Sequence, residues 1–303
     1  MVTKSFFGTY ELYTIEAGEL SVSITTLGAT VTSLRYRGKE RVPSYDSPAG
    51  YLGGTAYLGA AIGRYGNRIA GARFALNGRE YLLPANEGAN QLHGGPDSYD
   101  RRPWKAEVLE DAVRFTLFSP DGDNGFPGDL TAAVTYSVRD NVLRLDFEGD
   151  SDADTVYAPT SHMYFDLSGG ENCLAASLSV NASRYLEVDG VLIPTEVTPV
   201  EGTRYDFREM RPIGEAYDHC FVLDGETACV LRDGDTQMTL VTDFPALQVY
   251  TGEFLPAPFK PFGAVALEPE SYPDSPNRPD FPSTVLRAGE HYHRWAEYRF
   301  ETV

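Results

Sequence analysis

The chain has 303 residues, with 44 acidic against 25 basic side chains and a formal net charge of −19. That balance disfavours nucleic acid or an anionic membrane as partner, since both reward a basic face. A phosphorylated ligand would need a local Lys/Arg cluster, and none stands out.

Three cysteines, Cys173, Cys220 and Cys229, make no disulfide framework and lack ligand spacing. They read as buried small side chains in a reducing compartment. The opening MVTKSFFGTY has no apolar stretch of signal-peptide length, and no span approaches membrane length. The expectation is a soluble, cytoplasmic protein, which makes the glycosylation pattern Asn181-Ala182-Ser183 a chance match.

Strand follows strand along the chain. Residues 20–25 and 30–36 alternate apolar and polar side chains, with Gly28 between them as a turn or bulge residue. Residues 42–54, rich in Pro, Ser, Gly and Tyr, read as a loop. After Gly63-Arg64-Tyr65-Gly66-Asn67-Arg68 come strands over 73–76 and 80–83, joined by an Asn77-Gly78 turn. A connection runs through His93-Gly94-Gly95, glycines that permit close backbone approach or angles closed to other residues. Residues 104–109 with 113–119, and 130–138 with 142–148, form two further hairpins around the Gly/Asp loop 121–128. A strand over 156–166 holds His162.

The second half continues with strands over 174–180, 221–223, 228–232, 237–242, 246–250, 264–268 and 292–300. Asp189-Gly190 predicts a hairpin between 185–188 and 191–194, and a short helix fits 206–210. With 29 glycines and 20 prolines as punctuation, no linker and no exact repeat, the pattern predicts an all-β sandwich or barrel forming one domain over 1–303.

Several motifs fail on inspection. Gly59, Gly63 and Gly66 lack dinucleotide-fingerprint spacing, and no Gly-x-Ser-x-Gly occurs. Asp150, Asp152 and Asp154 imitate a calcium loop without its glycine, and Ser161 stands where the closing acid belongs. Asp121-Gly122-Asp123-Asn124-Gly125 reads as a solvated turn rather than a calcium site. His291 and His293 face one side of the last strand but lack further ligands nearby, so no metal site is expected.

What remains is a sugar-sized set of groups. Arg68, His93, His162, Asp218 and Glu268 each sit at a strand end or beside a glycine, proline or tyrosine cluster. Glu268 closes the apolar run that begins at Phe262. A carboxylate there is partly desolvated, which raises its pKa and makes it a better base near neutrality. His162 is either a core histidine or a proton donor among aromatics. Tyr164, Phe165 and Tyr250 suit either a pyranose face or the core.

Four segments in order, 63–69, 90–95, 161–169 and 267–274, resemble the signature segments of the aldose 1-epimerases, the galactose mutarotase family. Weaker similarity through 119–128 and the closing strand extends the resemblance from about Leu20 to Phe300. It implies a large antiparallel β-sandwich and a cofactor-independent, metal-free isomerase that interconverts the α and β anomers of free aldohexoses such as galactose and glucose. It places the general base on Glu268 and the two histidines on His162, as acid, and His93. Arg68 and Asp218 become substrate-binding groups, with Asn67 and Gln248 beside them. Glu270, Asp166 and Ser161 depart from the family pattern, where Gln, Asn and Asn are usual. The implied partner is a monosaccharide, with the chain a monomer or homodimer. Three other readings stay open: an epimerase of a hexose 6-phosphate, a non-catalytic sugar-binding module, and a glycoside hydrolase using Glu268 with Asp218.

Overall fold

A computed structural model describes residues 1–167, 169 and 172–303. Ser168, within the third signature segment, lies outside the described residues. The architecture is all-β and antiparallel throughout its named sheets. A nine-stranded sheet runs in the order Lys105–Val108, Ala112–Ser119, Leu130–Arg139, Val142–Ser151, His291–Thr302, Thr236–Thr242, Thr227–Asp233, Ser177–Val180, Arg211–Pro212. A six-stranded sheet runs Tyr164–Phe165, Val265–Glu270, Ala246–Tyr250, Asp218–Val222, Arg184–Val188, Pro194–Pro199. A five-stranded meander made from Val2–Phe7, Tyr10–Ala17, Leu20–Thr25, Thr30–Tyr36 and Lys39–Glu40 packs against the first of these.

The alternation that marks the strands in the sequence is the alternation of burial. Along Val142–Ser151, Leu143, Leu145 and Phe147 enter the main core while their neighbours are only partly covered. Val265–Glu270 differs, because every residue is buried. Val265 and Leu267 belong to the main core, where Phe165 meets Tyr298 at a ring separation of 5.2 Å. Ala266, Glu268 and Glu270 take the opposite face, as the two-residue period requires. One strand therefore anchors the interior with one side and presents two carboxylates with the other.

The Asn77-Gly78 turn is as expected: Leu76 pairs with Arg79, and both turn residues have positive φ, 52° and 78°. Other expectations are corrected. The 42–54 loop contains a short helix, Pro48–Gly53, started by proline at its first turn. The 156–166 strand is three two-residue pieces, Thr155–Val156, Thr160–Ser161 and Tyr164–Phe165, each paired with a different partner. The Asp189-Gly190 hairpin has a longer loop, with strands Arg184–Val188 and Pro194–Pro199 and Leu192 at φ 62°. Residues 206–210 form no helix. No helix among the described residues is long and apolar enough to cross a membrane, and all three cysteines are free and buried.

Candidate active site

One cleft of about 270 Å³ gathers Arg68, His93, His162, Asp218, Gln248 and Glu268, with Asn67 beside them. Each arrives on a different piece of chain, so sheet pairing assembles the group. Gln248 pairs across the sheet with Glu268 on one side and with Cys220 on the other, which brings Asp218 close. Gln248 Nε2 donates to Asp218 Oδ1 and so fixes both side chains at the wall.

The short ladder Gln91–Leu92 against Arg68–Ile69 carries the other wall. Just beyond it the backbone turns through His93 at φ 51° and Asn67 at φ 62°. Asn tolerates that conformation and His does so at some cost, a pattern found where a site over-determines the backbone. Gly94 must be glycine: a Cβ there would lie 1.9 Å from the Gly63 carbonyl oxygen. Arg64, fully buried, holds the loop from beneath by donating to Ser119, Pro120, Pro127, Thr155 and Gly128.

These bonds decide the form of His93. The Asn67 backbone N–H donates to His93 Nδ1 at 3.1 Å, so that nitrogen is the acceptor. Burial, together with the neighbouring His162 and Arg68, holds the ring well below the usual histidine pKa, and it is neutral. A neutral imidazole accepting at Nδ1 carries its proton on Nε2. His93 is therefore a hydrogen-bond donor.

His162 lies between the rings of Tyr57 and Tyr164, at centroid separations of 5.8 and 4.9 Å. Its Nε2 is 3.5 Å from Glu268 Oε1. Burial pushes its pKa down to about 3. Glu268 is only 2 % exposed, and burial, then the Glu270 and Asp218 charges, hold its carboxyl well above the usual range. Neither His162 Nδ1 nor Glu268 Oε2 has a hydrogen-bond partner among the described residues.

Two features escaped the sequence. Arg68 is not free to grip a ligand with its whole fork, because Glu87 takes Nε and Nη2 at 2.7 and 2.8 Å. Glu87 sits in a turn 19 positions away and carries no local signal. Phe254, 80 % exposed at the cleft mouth, was equally silent. Of the aromatic candidates, Tyr164 and Tyr250 line the cleft, whereas Phe165 belongs to the core.

His93, His162 and Glu268 each offer an atom within 4.8 Å of the others, a spacing that metal ligands also show. The donor set does not fit a cation. With Nδ1 engaged and Nε2 protonated, His93 has no lone pair to give. Elsewhere, His291 is hydrogen-bonded to Asp150 and His293 to Asp146. Asp123 of the 121–125 loop is clamped by Arg102.

The sequence profile of the family described as aldose 1-epimerase matches residues 11–299. The chain belongs to the aldose 1-epimerase family. It is 35 % identical to galactose mutarotase of Mus musculus over 339 aligned residues, covering all of this chain and 99 % of that one. It is 36 % identical to aldose 1-epimerase of Escherichia coli K12, over 96 % of this chain and 95 % of the other. Among solved structures, a galactose 1-epimerase from Lactobacillus acidophilus superposes with a TM-score of 0.90 at 26 % identity, covering 100 % of this chain and 98 % of the other. An aldose epimerase homologue from C. elegans gives 0.93, also at 26 % identity, covering 99 % of this chain and 100 % of that one. As an aldose 1-epimerase the chain is an isomerase, in keeping with the resemblance read in its sequence.

Proposed function

We propose that this aldose 1-epimerase interconverts the α and β anomers of free aldohexoses such as galactose and glucose, with Glu268 and His162 as its acid–base pair. The observation that carries the reading is the 3.5 Å approach of His162 Nε2 to Glu268 Oε1 in a cleft lined by hydrogen-bonding groups. Mutarotation takes a proton from the anomeric hydroxyl and gives one to the ring oxygen. The bond from C1 to the ring oxygen breaks, its electron pair stays on that oxygen, and a free aldehyde forms. Rotation about C1–C2 presents the other face, and reclosure returns both protons. Neither nucleophile nor water enters the balance.

The opposed shifts of the two groups set the proton inventory. With His162 pushed down and Glu268 pushed up, the proton that the two groups exchange is favoured on Glu268 over His162. The reaction needs one such proton. Its passage to His162 yields a carboxylate base for the anomeric hydroxyl and an imidazolium acid for the ring oxygen. His93 Nε2–H steadies the ring oxygen, Asp218 and Gln248 hold ring hydroxyls, and Arg68 with Asn67 fixes orientation.

Residues 1–303 act as one domain in this reading, which is supported by a site drawn from segments between Asn67 and Glu268. All of those groups come from one chain, which suits a monomer or a homodimer with separate sites. Three free buried cysteines suit a reducing cytoplasm.

Polarimetry of freshly dissolved α-galactose and α-glucose, on protein treated exhaustively with EDTA, tests the proposal. Chelation should leave the accelerated approach to equilibrium unchanged, because His93 offers a cation nothing. Galactose 6-phosphate should be a poorer substrate, since Arg68 is the sole Lys or Arg among the described lining residues and is already bound to Glu87. Preference for the phosphate ester, cleavage of a galactoside, or sugar binding with no change in rate would each replace this reading with one of its rivals.

A further inference from the structure

Glu270 stands behind the cleft rather than in it. It shares with Glu268 one face of Val265–Glu270, two residues along, and is 1 % exposed. Its Oε1 accepts from Asn67 Nδ2 at 3.1 Å, and its Oε2 has no hydrogen-bond partner among the described residues. Asn67 in turn donates its backbone N–H to His93 Nδ1 and accepts from Arg68 through Oδ1. A second buried carboxyl group is thus wired to three residues of the site without touching the cleft.

Two like charges this deep need a cation, and the surroundings supply little. The groups facing Glu270 are Arg68, Asp218, Cys220, Tyr65 and Glu268 itself. Arg68 is shared with Glu87 and Asp218. Cys220 and Tyr65 are raised by burial and stay neutral. Around Glu268 stand His162, neutral, and the phenols of Tyr164, Tyr250 and Tyr298, all raised by burial. Several buried carboxyl groups thus face one arginine.

We propose that Glu270 is a positioning residue of the reaction: it shares one negative charge with Glu268 and thereby governs the proton that Glu268 holds. The inference rests on the acid–base reading of Glu268 and adds what sets its strength. Buried carboxyl groups on one strand face, two residues apart, cannot both ionise cheaply, so the first ionisation makes the second harder. Burial, opposed by the Asn67 hydrogen bond, already pushes Glu270 up to about 8. As Glu270 ionises, its charge keeps the proton on Glu268 toward alkaline pH, which makes Glu268 a stronger base once that proton has passed to His162.

Glu270→Gln isolates the effect. The amide keeps an acceptor for Asn67, so His93 and Arg68 stay oriented, while the charge disappears. Losing the neighbouring charge lowers the pKa of Glu268, so the alkaline limb of the pH profile of kcat/KM moves to lower pH by about one unit, while the acid limb, where Glu270 is protonated and uncharged, stays in place. The variant then matches wild type on the acid side and loses rate earlier on the alkaline side, a displacement of one limb that a packing defect does not produce. Infrared titration of the buried carboxyl C=O band reads the same coupling without any assay of activity. The midpoint of Glu268 should fall in Glu270→Gln, whereas in Glu268→Gln the remaining Glu270 band should stay where it is, because Glu270 ionises while Glu268 still holds its proton. A Glu268 midpoint unmoved in folded Glu270→Gln, or a Glu270 midpoint that falls in folded Glu268→Gln, would overturn the proposal. Absence of mutarotation with the Glu268 midpoint shifted as expected would instead overturn the function assigned to the pair.

Discussion

Glu268→Gln lowers the turnover number of mutarotation by at least about a hundredfold, or about 2.7 kcal/mol of barrier at 1.36 kcal/mol per decade. The amide preserves shape and one acceptor, so the anomeric hydroxyl is still bound. It has nowhere to send its proton. Sugar affinity should change far less than turnover, which separates a lost base from a damaged pocket. Initial rates by polarimetry, paired with calorimetric binding and a check of the fold, make the measurement. Near-wild-type turnover in the folded variant would move the base to Asp218, the other acid of the cleft that faces Gln248.

His162→Asn should cost a similar factor, about 10²–10⁴, from the other side of the sugar. Asparagine places a polar atom near the position of Nδ1, which has no partner in the structure, and nothing near Nε2, which faces Glu268. The proton on Glu268 then has no acceptor within the pair, and the imidazolium cannot form. Because the two groups act as one unit, the double variant should be scarcely slower than either single one. Rates of the three variants on α-galactose decide this; losses that multiply would mean that Glu268 and His162 act independently.

Much of the fold was legible because its physics is local. Asn77-Gly78 sets its own turn, and the alternation in 130–138 and 142–148 is the burial pattern of a half-covered sheet. The failures are non-local. Val2–Phe7 went unread since its four inner residues are exposed, leaving no alternation to see. The apolar run 156–166 has the composition of a buried strand. Pro159 and a change of partner at each step break it into three pairings that only the assembled chain defines. Glu268 was expected to close its strand, yet pairing of Ala246 with Glu270 carries the ladder two residues further and buries both acids.

The site divides in the same way. Residue types and signature segments singled out Arg68, His93, His162, Asp218 and Glu268, and folding brings them to one cleft. Glu87 could not be read, since its meaning depends on a ladder that folds its turn back onto Arg68. Nor could the protonation of His93, which follows from one backbone N–H at 3.1 Å.

The most direct test of the acid–base pair is magnetisation exchange between the α and β anomeric resonances of galactose at equilibrium, with chelated wild-type protein present. No net reaction occurs, so only ring opening and reclosure transfer the signal. The account predicts exchange that grows with protein concentration and is abolished by Glu268→Gln at unchanged sugar binding. Anomers that exchange no faster with the folded wild-type protein than in buffer would contradict it.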